Sequence, residues 1–412
     1  MLSFAATAFV GSSSTRQGIN FIDDAGGNLM TTDLAKLSAR WVDWFKDSAL
    51  PLWSGAAINP ESGASYERFL ASGEVDKAAN IRLRVQARQI FVFSVASERG
   101  WMAGGEPVVS AMADFVERIG VHESGEGYIH LLSPSYEVLD SKQDLYDHAF
   151  ALLACALRYR VFKEDSALVR ADKLIAMLDS RFGGVGGGWL EGDYATDRRR
   201  QNPHMHLFEA FLALYDATGE AKWLARAGEM FALFETRFYD GKYGVLREYF
   251  NEDWSLLDGA DGEIVEPGHM MEWVWLLHWY GKRSGRDTSG YADTLYETAL
   301  ASGLTPEGLL YDEVSPEGKV LKGSKRCWPM TELIKASIAQ ARVGRAGAEA
   351  QAAKAVEVLL DRYLSCAKRD GTYIDQLDSN NEVLVDFAPA STLYHLIVAA
   401  MEVADYVKES EA

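Results

Sequence analysis

The sequence predicts an all-α fold in which six helical hairpins close into a ring, the (α/α)6 barrel, with short β segments in its rim loops. Three observations carry this. Apolar residues recur at helical spacing in six long segments. One polar residue near the start of each segment recurs with an almost constant period. Period-2 alternation is scarce outside short stretches such as Gly127 to Leu132 and Lys319 to Leu321.

The six segments are residues 84–100, 145–162, 204–220, 269–285, 328–344 and 391–407, each of a length suited to a buried or amphipathic helix. Their marker residues are Arg88, Asp147, His206, Glu272, Glu332 and His395, separated by 59, 59, 66, 60 and 63 residues. Between successive segments lies a more charged amphipathic stretch, for example Glu220 to Arg237, Gly290 to Ser302 or Ala348 to Ala367, and then a Gly/Asp/Tyr-rich loop. A unit of that kind cannot bury its own apolar face, so neighbours must stack, and six hairpins can close. The segments that are apolar almost all round form the inner wall, and the charged ones face solvent.

No Pro/Ser linker or charge block divides the chain, so we expect one catalytic domain over residues 31–412, preceded by a loosely ordered leader at 1–30. The leader lacks a basic n-region, which argues against a signal peptide and for a cytoplasmic protein. Three widely spaced cysteines, with neither CxxC nor Cys/His ligand spacing, agree with that compartment and with no structural zinc. Among 412 residues, 48% are hydrophobic and none of the apolar runs reaches the roughly 20 residues of a membrane span. A net charge of −19 disfavours nucleic acid as a partner. A small neutral or locally coordinated substrate fits better, bound by a monomer or homodimer.

In such a ring the first turns of all six inner helices share one mouth, so their polar residues share one pocket. The set combines an arginine, histidines and carboxylates, with neither a serine-nucleophile motif nor metal spacing, and this composition suits proton transfer. His269 and Glu272 are three apart and share a helix face, so Glu272 is expected to orient the imidazole. His206 and Glu209 share a face in the same way. His204 and His206 are two apart and diverge on a helix, which argues against a metal there. Arg198 to Arg200 reads as a solvated charge run able to grip an anion, and Gly183 to Asp193 as a mobile rim loop. Tyr128 and Trp328 stand near helix starts, where platforms for a sugar ring would be placed.

The segments RVQARQIFVFS, DLYDHAFALLA, NPHMHLFEAFLALYDATGE, EPGHMMEWVWLL, KRCWPMTELIKA and APASTLYHLIVAA, taken in order, resemble the inner helices of the N-acylglucosamine 2-epimerase superfamily over roughly residues 35–405. The resemblance implies an (α/α)6 barrel and isomerisation or epimerisation at carbon 2 of a sugar without a metal or other cofactor. It implies that His269 and His395 are the catalytic histidines, with Arg88 the arginine of the first inner helix. His206, Glu209, Glu272 and Glu332 match its binding positions, and Tyr128, Asp147 and Trp328 match pocket-lining ones. The ending APASTLYHLIVAA looks closer to isomerase-type members than to cellobiose epimerases.

The expected activity is therefore conversion of an aldose such as D-mannose to its ketose through a cis-enediolate. His269 helps open the sugar ring, His395 moves the proton from carbon 2 to carbon 1, and Arg88 stabilises the anion. Alternatives are a sugar 2-epimerase and an isomerase of phosphorylated or sulfonated sugars, the latter kept open by Arg198 to Arg200, Lys322, Lys325 and Arg326. More remote are a glycoside hydrolase using Glu272 and Glu332, and a sugar-binding protein without catalysis.

Overall fold

The computed structural model describes residues 27–412. Most of the leader expected at 1–30 lies outside the described residues, and its last four residues, 27–30, belong to a helix. The helices are α1 (Gly27–Trp44), α2 (Leu50–Ser54), α3 (Leu83–Glu98), α4 (Gly105–Ile119), α5 (Leu145–Phe162), α6 (Asp165–Arg181) and α7 (Gln201–Thr218). They continue as α8 (Ala221–Leu233), α9 (Pro267–Ser284), α10 (Ser289–Gly303), α11 (Cys327–Arg342), α12 (Ala348–Leu359) and α13 (Leu393–Glu411). Neighbours pack in the cyclic order α3, α5, α7, α9, α11, α13 and back to α3, so the inner ring closes. Against this wall α4, α6, α8, α10 and α12 pack as the outer partners of α3, α5, α7, α9 and α11.

The sixth hairpin is assembled from both ends of the chain. The helix α1 packs against α12 and α13, in the position of an outer partner for α13. Trp41 and Phe45 are fully buried there, and Arg40 donates to Asp361 and Ser365 beside α12. Joining first and last elements makes the ring depend on contacts very distant in sequence.

Local chemistry sets the helix ends. Asp144 caps α5 by accepting from the amides of Tyr146 and Asp147. Pro267 opens α9, where its missing N–H costs nothing. Gly219 and Gly285 end α7 and α9 in the left-handed conformation that glycine adopts without strain. Outer helices α8 and α12 end in π-helical turns, Phe234–Phe238 and Leu360–Leu364, which apolar spacing alone does not reveal.

The rim is a belt of short antiparallel pairings. The residues before each inner helix pair with the loop of the next unit: 81–82 with 131–132, 144 with 192, 199–200 with 249–250, 265 with 314, and 325–326 with 376–377. Phe387–Pro389 pairs with Arg68–Leu70 and closes the belt. At alternate units the residue capping the inner helix is an arginine held by a loop carboxylate. Glu67 accepts from the amide and Nε of Arg82, Glu191 from those of Arg200, and Asp312 from those of Arg326. Each carboxylate is buried, so removing its arginine would leave an uncompensated charge costing about 3–5 kcal/mol.

This belt corrects two expectations. Arg198 to Arg200 is not a solvated run: Arg199 is buried, donates to the carbonyls of Val185, Gly187, Trp189 and Glu252, and lies over the Trp254 ring. Those bonds pin the glycine-rich loop that was expected to be mobile. Arg198 is paired with Asp197 and Asp261, and Arg200 with Glu191.

Candidate active site

The inner helices bring Arg88, His206, Glu209, His269, Glu272, Glu332 and His395 into their first three turns, all buried. Three histidines each face a carboxylate through Nδ1: His395 with Glu332 at 2.8 Å, His269 with Glu248 at 3.0 Å, and His206 with Glu209 at 3.2 Å. With Nδ1 tied to an acceptor, Nε2 is the nitrogen free to exchange a proton. Trp328 stands between two of them, its ring centroid 5.0 Å from that of His269 and 5.5 Å from that of His395.

Glu248 corrects one expectation. Glu272 shares a helix face with His269, yet the orienting carboxylate comes from the rim loop. Gln201 donates to Glu248 at 2.9 Å and accepts from the indole of Trp273 at 2.8 Å. Trp273 is itself locked between Phe208 and Phe234, so the dyad rests on the barrel wall. Glu272 lies deeper, 3.9 Å from Nδ1 of His206, with neither oxygen hydrogen-bonded to a described atom.

The surroundings drive the two histidines flanking Trp328 to opposite charge states. Burial alone would lower the pKa of His269, but Glu248 and Glu266 outweigh it and carry the value up to about 9. His395 is driven well below its ordinary range by burial, reinforced by Arg88, Lys335 and His206. His206 falls to about 4, again chiefly through burial. Near neutral pH, His269 is therefore a cation and His395 a neutral base, the separation that assigns acid and base roles. Glu272 is pushed well up by burial and by Glu332, so it is a neutral acid.

Arg88 meets neutral groups. It donates to the carbonyl of Ser391 at 3.2 Å and to the hydroxyl of Tyr146 at 2.5 Å, and lies 4.0 Å over the Phe150 ring. An arginine in this setting keeps an uncompensated positive charge for an anion that forms in the pocket.

Two expected residues stand apart from this cluster. Tyr128 packs on His148 and donates to Glu117 of the outer helix α4, so it lies behind the wall. Asp147 is held by Arg84 at 3.0 Å and by His130 at 2.6 Å on the rim. His204 is structural: Nε2 accepts from the amide of Trp189 and Nδ1 faces the carbonyl of Arg200. Gly188, at φ +63°, makes room for that ring, because a Cβ there would lie 2.7 Å from Nε2.

The residue that the sequence reading missed carried a signal. Glu67, His130, Glu191, Glu248, Asp312 and Asp375 each stand at or just before the loop residue that pairs with a helix start, and they are separated by 63, 61, 57, 64 and 63 residues. This second periodic set lies in loops, where helical spacing does not point to it.

Three groups bring carboxylate and imidazole atoms within 4.8 Å of one another: His206, Glu209 and Glu272; Glu248, Glu266 and His269; and Glu272, Glu332 and His395. Such spacing could admit a cation. In the structure, however, each Nδ1 faces a carboxylate and the ammonium of Lys335 sits 2.6 Å from Glu332, so we read these groups as hydrogen-bonded dyads. A cavity of about 870 Å³ opens at the opposite ends of the inner helices, lined by ion pairs such as Arg99 with Asp405 and Arg283 with Asp216. It reaches inward to Glu209, but the histidine dyads belong to the other mouth. Among the described residues no helix is long and apolar enough to cross a membrane.

Comparison with known proteins identifies the family. The chain is 34% identical to the mannose-6-phosphate isomerase of Rhizobium meliloti (strain 1021) over 393 residues, covering 92% of this chain and 100% of that one. It is 29% identical to the D-mannose isomerase of Thermobifida fusca, covering 69% and 74% of the two chains. The cellobiose 2-epimerase structure from Spirochaeta thermophila DSM 6192 superposes with a TM-score of 0.83 at 19% identity, over 93% of this chain and 100% of that one. The N-acylglucosamine 2-epimerase (GlcNAc 2-epimerase) profile matches residues 64–399. The chain therefore belongs to the N-acylglucosamine 2-epimerase family and is a sugar isomerase or epimerase.

Proposed function

We propose that the protein is a metal-independent aldose–ketose isomerase acting on an uncharged monosaccharide of the D-mannose type. The observation that carries this reading is the pair of buried histidines flanking Trp328, each tied through Nδ1 to its own carboxylate. His269, the cation, protonates the ring oxygen as its bond to carbon 1 breaks, and the imidazole so formed takes the hydroxyl proton of oxygen 1 as the carbonyl forms, which restores the cation. His395 takes the proton from carbon 2 through Nε2, the carbon 1–carbon 2 double bond forms, and the carbonyl electrons move to oxygen 1. Arg88 holds that oxyanion. The imidazolium of His395 returns the proton to carbon 1 while the hydroxyl proton of oxygen 2 passes to oxygen 1, which completes the ketose. General acid–base help of this kind contributes roughly 10²–10⁴-fold.

The charge of the mouth favours a neutral sugar. Arg82, Arg84, Arg198, Arg200 and Arg326 are each paired with a carboxylate, and Lys325 donates to the carbonyls of Asp378 and Ser379. The basic run that kept a phosphosugar open is thus spent on the rim. A second reading, epimerisation at carbon 2, is favoured by the opposite charge states of the two histidines: His395 would remove the proton and His269 return one to the other face.

The test is NMR of D-mannose with EDTA-treated protein in deuterated water, beside His395→Ala. Fructose from the wild type and none from the variant is the expected result. Glucose as the sole early product, deuterated at carbon 2, would replace the isomerase by an epimerase. Turnover of mannose 6-phosphate alone would overturn the neutral-sugar reading, and loss of activity on EDTA treatment would overturn metal independence.

A further inference from the structure

Lys335 is a charge that the proposed chemistry does not use. It is fully buried in α11, one turn beyond Glu332, its ammonium 4.0 Å from the centroid of the Trp275 ring and 2.6 Å from Glu332 Oε2. The contact is ionic, without the angle of a directed hydrogen bond. Taking an ammonium out of water costs several kcal/mol unless its partners return it, so a lysine here needs a reason. The other oxygen of Glu332 faces Nδ1 of His395 at 2.8 Å. A line thus runs from Trp275 through Lys335 and Glu332 to His395.

We propose that Lys335 is a positioning residue that acts through Glu332 to hold His395 in the tautomer with a proton on Nδ1 and none on Nε2. This rests on the reading of His395 as the proton acceptor. The groups facing that imidazole are Arg88 from α3, His206 and Glu209 from α7, Glu272 from α9, Glu332 and Lys335 from α11, and Tyr394 beside it. Glu209, Glu272 and Glu332 crowd three carboxyl groups into one buried space, and Lys335 is the ammonium set among them. Glu272 relieves the crowding by staying protonated; burial pushes Glu332 up as well, and the Lys335 ammonium is the chief group opposing that rise.

Without Lys335 two outcomes are open to the dyad, and both disable it. If Glu332 keeps its charge, the imidazole gains a proton to balance it and becomes a cation. If Glu332 takes a proton instead, its O–H donates to Nδ1 and the imidazole proton moves to Nε2. Either way Nε2 carries a proton near neutral pH and cannot accept one from carbon 2.

The experiment compares wild type with Lys335→Met by ¹⁵N NMR of the histidine side chains at pH 7, with His395→Ala used to assign the resonance. The expected result is a bare, pyridine-like Nε2 in the wild type and a protonated, pyrrole-like Nε2 in the variant. Turnover should fall on the order of 100-fold with KM within about twofold. A wild-type Nε2 that is already protonated, or one that stays bare in Lys335→Met, overturns the proposal. If Lys335→Met does not fold, Glu332→Gln with Lys335→Met removes both charges together and is compared with Glu332→Gln. A glutamine carbonyl still accepts from Nδ1–H, so the Lys335 change should then leave Nε2 bare; a shift to the protonated form would show Lys335 acting other than through Glu332. The spectra need no sugar turnover, so an inactive protein with the expected tautomer change would refute the isomerase reading and leave the role of Lys335 standing.

Discussion

Replacing Glu248 by glutamine tests the link between the rim and the chemistry. The amide keeps the shape of the side chain and an oxygen for the Nδ1–H of His269, but removes the charge that lifts this imidazole to about 9. Burial opposes protonation, and Glu266, 3.9 Å away, remains to counter burial, so the pKa returns to roughly its ordinary 6.5. At pH 8 the fraction carrying the proton then falls from about 0.9 to about 0.03, a loss of roughly 30-fold, whereas at pH 6 it changes by less than about 1.5-fold. Initial rates of ketose formation between pH 5.5 and 10 give the comparison. The alkaline limb of kcat/KM should lie near 9 in the wild type and move down by about two and a half pH units in Glu248→Gln. An alkaline limb that stays put, or a loss equal at every pH, would show that Glu248 does not hold the proton on His269.

Two further outcomes test where the structure places residues. Arg199→Met removes the donor shared by four carbonyls and should destabilise the fold by about 3 kcal/mol or more in urea, with new proteolytic cleavage at residues 183–190. An unchanged midpoint would mean that those bonds do not hold the loop. Tyr128→Phe breaks the 2.6 Å bond to Glu117, and we expect about 1 kcal/mol of lost stability with kcat/KM within about twofold. A tenfold fall in kcat/KM at unchanged stability would return Tyr128 to the pocket.

Much of the cluster was legible because an inner helix must be apolar almost all round, so a charged residue in it stands out. Arg88, His206, Glu332 and His395 were found in this way, at one phase of the repeat. Glu248 escaped because a two-residue pairing leaves almost no periodic trace, and its partner His269 is 21 residues further on. Spacing also misassigned Glu272: residues three apart share a face, but His269 turns toward the rim while Glu272 lies one turn deeper among carboxylates. Tyr128 was misplaced because position near a helix start does not say on which side of the wall a ring falls.

The sequence by itself determined the helices, their period of about sixty residues, the acidic surface and the types of residue in the mouth, since these follow from local spacing and composition. Only the tertiary structure decided that α1 completes the sixth hairpin, that the rim arginines are consumed by carboxylates, and that His269 and His395 hold opposite charge states. Those outcomes depend on burial and on partners far apart in the chain, such as Glu332 and His395, 63 residues apart. A pKa is set by what surrounds a group in space, and an isolated stretch of sequence does not contain that information.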